Sequence, residues 1–150
     1  MNYPHISYQD FEDSIVKDAF DHYVLGFTII DEQHRELYVG LCDLRDKSEH
    51  GVVKEDLFRL IDHLVGKMRV HVATENRLMR ENSYAYTDSH THENDCHVRT
   101  IEALYQNTTP EFIVFITNEI LNHFDYHDRL MVESFKSRNR RSGDTRPADL

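Results

Sequence analysis

Apolar residues recur along the chain at steps of three and four with no sustained two-residue alternation, a pattern that predicts helices and no sheet. Thr28 and Asp31 can each cap a helix start, and the face that follows runs through His34, Leu37, Leu41 and Leu44. A second stretch, from about Val53 to Arg80, carries Leu57, Leu60, Leu64, Met68, His71, Glu75 and Leu78 along one stripe. The segment Ser83 to Thr87 breaks the pattern. A third stripe begins near Asp88 and holds His90, Asn94, His97, Ile101 and Leu104. The fourth helix has the clearest punctuation: Thr109 as cap, Pro110 at the first helical position and Glu111 at the positive end of the helix dipole. Its stripe is Phe112, Ile116, Glu119 or Ile120, His123, His127 and Leu130.

Only five glycines and three prolines interrupt the 150 residues, so the helices are long. Four amphipathic helices joined by short loops predict an all-α, up-down-up-down antiparallel four-helix bundle, a single domain over residues 20–136. Residues 1–19 read as an N-terminal arm, in which Phe11 and Ile15, with Phe20 beside them, can lie across the bundle. Residues 137–150 are polar, basic at first and without periodicity, which predicts a flexible, disordered tail. Gly40 and Gly66 fall inside predicted helices at a cost of about 1 kcal/mol each relative to Ala, so each marks a close helix contact or a misplaced boundary.

Seventeen Lys and Arg against twenty-seven Asp and Glu leave a net charge of -10, which disfavours nucleic acid or an anionic membrane surface as the main partner. No apolar run is long enough to span a bilayer. The opening MNYPHISYQD lacks the charged head and apolar stretch of a secretory signal, so a cytoplasmic protein is expected. Cys42 and Cys96 are too few for a disulfide framework and match no zinc or redox spacing. The sequence contains no Ser-His-Asp order, phosphate loop or Gly-rich fingerprint.

Histidine changes the picture, with eleven in the chain. Every stripe places a His, and two of them a carboxylate nearby, where an apolar residue would close the core. An unpaired buried polar group costs about 2 to 7 kcal/mol, so six at the low end cost about 12, against a total stability of about 5 to 15. A metal compensates for this, because neutral imidazoles and carboxylates are the ligands that divalent iron, zinc and manganese accept. His71 and Glu75 lie one turn apart, offset by about 40° with about 6 Å of rise, so both point inward. His123 and Asp128 are five residues apart, an offset of about 140° on a regular helix. Asp128 therefore joins His123 only if the helix distorts or if the carboxylate reaches a second metal. On spacing alone His127 is the better companion, and periodicity leaves the choice open.

The sequence resembles the hemerythrins, and more closely the bacterial single-domain hemerythrins. The resemblance runs from about Phe20 to Leu130 through Gly26-Phe27, Asp31-Glu32-Gln33-His34, His71-Val72-Ala73-Thr74-Glu75 with Leu78-Met79 after it, His90, and His123-Phe124-Asp125-Tyr126-His127-Asp128. It implies a non-heme di-iron centre, oxo- or hydroxo-bridged, within the bundle. It assigns His34 and His71 to one iron, His90 and His123 to the other, and Glu75 and Asp128 as bridging carboxylates, in preference to His127. It also places Leu37, Val72, Ile120 and Phe124 around the open coordination position, where a dry wall slows loss of a bound ligand.

The chain departs from the family where the third helix carries a second ligand His, because Asn94 stands there. An amide is a poor iron ligand, so one iron is expected to hold water or recruit a substitute, and His97 and Glu119 are the candidates. The expected function is reversible dioxygen binding for storage, delivery or sensing, more an oxygen-binding protein than an enzyme. Turnover of peroxide or nitric oxide at the site modified by Asn94, or a regulatory interaction module with a decayed metal site, are the alternatives.

Overall fold

Residues 20–142 are the part of the chain that the computed structural model describes. They form α1 (Thr28–Glu49), α2 (Lys54–Glu81), α3 (Thr87–Glu102) and a final long rod. The rod consists of α4 (Pro110–His123), one turn of π-helix at Phe124–Asp128 and α5 (Arg129–Ser142). Each helix packs on its neighbour in the chain, and the rod closes back against α1, so the four form a bundle. Among the described residues there is no strand, and no helix is long and apolar enough to cross a membrane. The arm residues Phe11 and Ile15, and tail residues 143–150, lie outside the described residues.

The helix starts use different devices. Thr109 does cap α4, its hydroxyl accepting from Phe112 N at 3.3 Å, with Pro110 opening the first turn. At α1 neither Thr28 nor Asp31 is the cap. The N-cap is Phe27, and the Asp31 carboxylate instead accepts from the backbone N–H of Leu25, Gly26 and Phe27 at 2.7, 2.9 and 3.1 Å. Gly26, at φ +80°, supplies the left-handed conformation this loop needs, and its Cβ-free face admits the Lys136 ammonium on its way to the Leu25 carbonyl.

The apolar core is divided in two. One cluster, containing Leu37, Leu41, Leu64, Met68, Ile101, Ile116, Ile120 and Phe124, fills the bundle on one side. A smaller one, built from Leu25, Phe27, Ile30, Leu78, Met79, Met131, Val132 and Phe135, fills the other. Between them lies a layer of buried polar side chains: His34, His71, Glu75, His90, Asn94, His123 and Asp128. Phe20 joins the larger cluster, its ring 5.5 Å from that of Tyr38. Both cysteines are free, Cys42 buried and Cys96 half-buried.

Gly40 marks a close helix contact, since a Cβ there would meet Leu64 Cδ2 at 2.5 Å. Gly66 does not, having nothing within 4 Å of such an atom. The last helix extends past Ser137 to Ser142, so residues 137–142 are helical rather than the start of the tail. Phe135 is the last buried residue of that helix among those described, and the Arg138 guanidinium reaches the carbonyl of Asn82, the C-cap of α2. A polar, aperiodic stretch can therefore continue a helix that buried residues upstream have already fixed.

Candidate metal centre

Three helices bring side chains to one point by ordinary helical spacing. His34 follows Ile30 by one turn on α1, His71 and Glu75 are a turn apart on α2, and His90 and Asn94 are a turn apart on α3. The rod uses a different device. His123 and Asp128 flank a π turn, whose wider i→i+5 spacing brings both onto the same side. The π turn also resets the register, so that Asp128, Met131, Val132 and Phe135 face inward while Leu130, assigned to the stripe by regular periodicity, is exposed. His127 is turned toward the bundle surface, its side chain 36% exposed.

The result is two overlapping sets of four side chains that could each hold a metal ion. His34, His71, Glu75 and Asp128 have ligand atoms all within 4.8 Å of one another, and so do Glu75, His90, His123 and Asp128. Asp128 is the hub. Its Oδ2 lies 2.8 Å from His34 Nε2 and 3.4 Å from His71 Nε2, and its Oδ1 lies 3.0 Å from Nε2 of both His90 and His123. Glu75 spans the same pair of sets, 2.9 Å from His71 and 3.4 Å from His90. Both Glu75 oxygens are buried outside hydrogen-bond geometry with these imidazoles.

Without a cation, protons carry the compensating charge. Burial pushes His71 down, but Glu75 and Asp128 outweigh it and raise the imidazole to about 10. His90 is raised to about 9 in the same way, burial again being overcome by the two carboxylates. Burial lowers His34 below its ordinary value, only partly offset by the hydrogen bond to Asp128. Burial raises both carboxylates and the charge of Asp128 raises Glu75 further, yet the surrounding imidazoles hold Asp128 well below the usual carboxylate range and Glu75 below it too. Two positive and two negative groups thus face one another in a space closed to water.

A second ring of side chains orients the first. Gln33 Oε1 accepts from His71 Nδ1 at 2.9 Å, which turns Nε2 into the cluster, and the Gln33 amide donates in turn to Thr74 Oγ1 at 3.0 Å. Asn76 Oδ1 accepts from Asn94 Nδ2 at 3.2 Å and from Thr91 Oγ1 at 3.3 Å. Thus held, Asn94 directs its carbonyl oxygen at His123 Nε2, 3.0 Å away. Gln33 and Asn76 are adjacent in sequence to His34 and Glu75, but their partners are on other helices: His71 and Thr74 on α2 for Gln33, Asn94 and Thr91 on α3 for Asn76.

The two candidate substitutes for an imidazole at Asn94 lie elsewhere. Glu119 is exposed. Although it lies one turn before His123, it belongs to none of the clustered sets. His97 is largely buried but belongs to neither set; its ring lies 4.0 Å from that of His123, and its Nδ1 is buried without a hydrogen-bond partner. Burial and the neighbouring His123 lower His97 to about 3. Leu37, Val72, Ile120 and Phe124 are all buried in the apolar cluster next to the site. Phe124 stacks on His34 with ring centroids 4.0 Å apart and meets His71 edge-on at 5.8 Å.

The chain is similar to a myohemerythrin from Theromyzon tessulatum, with 28% identity over 94 residues covering 63% of this chain and 72% of that protein. No known family profile matches the sequence. No solved structure matches either.

Proposed function

We propose that this protein is a hemerythrin-like, non-heme di-iron protein that binds dioxygen reversibly. The observation that carries the reading is the sharing of Glu75 and Asp128 between two histidine pairs. A set of four imidazoles and two carboxylates suits two divalent iron ions, and the Glu75 oxygens, buried without hydrogen-bond partners, suit a ligand role better than a structural one. Similarity to a myohemerythrin points the same way.

In this reading His34 and His71 would hold one ion and His90 and His123 the other, with Glu75 and Asp128 common to both sets. When bound, the ions would supply the electrons and the binding position for a diatomic ligand. The protein supplies the rest. Gln33 fixes the His71 tautomer through Nδ1, and Leu37, Val72, Ile120 and Phe124 keep water from the ligand position. Asn94, oriented by Asn76, holds a neutral carbonyl oxygen beside His123, where it would face the second ion. Reduced, iron-loaded protein exposed to oxygen is expected to gain a visible ligand-to-metal band that argon removes. Iron that oxidises once without reversal would defeat the reading.

Asn94 favours a second reading, in which the site turns over peroxide or reduces nitric oxide. A fully buried amide stands where the resemblance calls for an imidazole, and it leaves the second ion poorer in strong ligands. Steady-state consumption of peroxide or nitric oxide that is lost in Asn94→Leu would support this reading. Consumption that survives the substitution would remove Asn94 from it.

A further inference from the structure

The inner cluster is sealed. His34, His71, Glu75, Asn94 and Asp128 are 0% exposed, His123 1% and His90 3%. A cation stripped of its hydration shell pays several kcal/mol to enter such an interior, so it passes most readily by exchanging water for protein ligands stepwise. Such an exchange needs ligands that reach solvent and touch the cluster at the same time.

One group of side chains meets both conditions. Glu93 on α3 and His127 on the π turn are 42% and 36% exposed, with Glu93 Oε2 3.9 Å from His127 Nε2. Together with His123 they bring three ligand atoms within 4.8 Å of one another. His123 is the member this trio shares with the inner set of Glu75, His90 and Asp128. Its ring stacks against that of His127 with centroids 5.2 Å apart and planes inclined by 30°. His97 Nε2 also lies 3.9 Å from Glu93 Oε2, which puts a further imidazole beside the same carboxylate.

From this geometry we propose that Glu93, His127 and His123 form an outer cation site through which a divalent metal is loaded into the buried cluster. The site takes a hydrated transition-metal ion from solvent on the Glu93 carboxylate and the His127 imidazole. His123 then serves as the common ligand when the ion moves inward to Glu75, His90 and Asp128. As the ion arrives its bond to His90 replaces the N–H bond of the imidazolium, and the proton leaves to solvent. Glu93 and His127 are needed for the rate of filling and not for what is finally held. The proposal rests on the reading of the inner cluster as a metal centre.

The test is the rate at which ion-free protein takes up cobalt(II) under argon, followed in a stopped-flow instrument by the cobalt absorption, with bound cobalt counted after gel filtration. Wild type is compared with Glu93→Gln, His127→Gln and the double variant, and circular dichroism checks that each is folded. Loss of these ligands is expected to slow uptake about tenfold or more, in line with the usual effect of removing a metal partner, while the final count matches wild type. Equal rates in all four proteins would overturn the outer site. A final count that falls with the rate would also overturn it, because Glu93 and His127 would then be permanent ligands. Wild type that takes up no cobalt at all would overturn the metal-centre reading itself, and the loading route with it.

Discussion

His123 and Asp128 stand five residues apart yet meet, Nε2 to Oδ1 at 3.0 Å, because the backbone between them is a single turn of π-helix. On a regular helix the two would diverge by about 140°. The π turn therefore does two things at once: it gives the cluster its central carboxylate, and it shifts the inward register so that Met131, Val132 and Phe135 reach the second apolar cluster.

A π turn of this kind carries one residue more than the α-helix around it. Deleting Tyr126, whose side chain is 56% exposed, should convert it to α-helix and keep Met131, Val132 and Phe135 on their present face. The deletion variant is expected to fold, with a circular dichroism spectrum and a melting temperature at least equal to those of the parent. An unfolded variant would show that the register downstream depends on something other than residue count.

Gln33→Leu removes the acceptor for His71 Nδ1 while keeping much of the side-chain bulk. The ring is then free to rotate or change tautomer, and iron affinity should fall about 10 to 100-fold. Glu119→Gln serves as the control, since its exposed side chain is outside the cluster. Competition with a colorimetric chelator measures both, and equal loss in the two variants would contradict the assigned role of Gln33.

The ion-free protein should have its own pH dependence. His71 and His90 have folded-state values of about 10 and about 9, above the unfolded imidazole. A raised value means that the folded state binds the proton more tightly, so the stabilisation is fully present below about pH 6.5 and disappears as pH rises through 9 and 10. Urea midpoints of chelator-treated protein should fall across pH 7 to 10, whereas loaded protein, with metal in place of those protons, should show a weaker slope. A flat profile for the ion-free protein would contradict the charge arrangement described for the cluster.

Gly40 and Gly66 both interrupt helices, yet Ala should act differently at the two sites. Gly66 is exposed with open space around it, so Gly66→Ala should stabilise the fold by about 0.5 to 1 kcal/mol. Gly40→Ala places its methyl group 2.5 Å from Leu64 Cδ2, in a packed core, and should bring no such gain. Chemical denaturation distinguishes them, and an equal gain at both positions would show that the contact with Leu64 is loose.

Helix stripes, and the polar residues set into them, are visible in the sequence because each depends on spacing within one segment. Thr109 and Pro110 are legible for the same reason: a cap acts over three residues. What depends on contact between helices is not. The choice between Glu119 and Ile120 on the fourth stripe turns on which side of that helix meets its neighbours, and the structure buries Ile120 and exposes Glu119. Gln33 and Asn76 look like ordinary surface amides until their partners on α2 and α3 are known. Asp31 resembles a helix cap, but its carboxylate reaches back to three backbone groups of the preceding loop. The π turn leaves no periodic signature of its own, which is why spacing alone favours His127 as the companion of His123.

The most direct test of the account is the iron content of wild type and Asp128→Ala after loading under argon and removal of unbound metal. Asp128 contacts all four imidazoles of the cluster, so the account predicts about two irons per chain in wild type and less than about one in the variant. Wild type that holds no iron or a single ion, or an Asp128→Ala protein that retains the full complement, would contradict it.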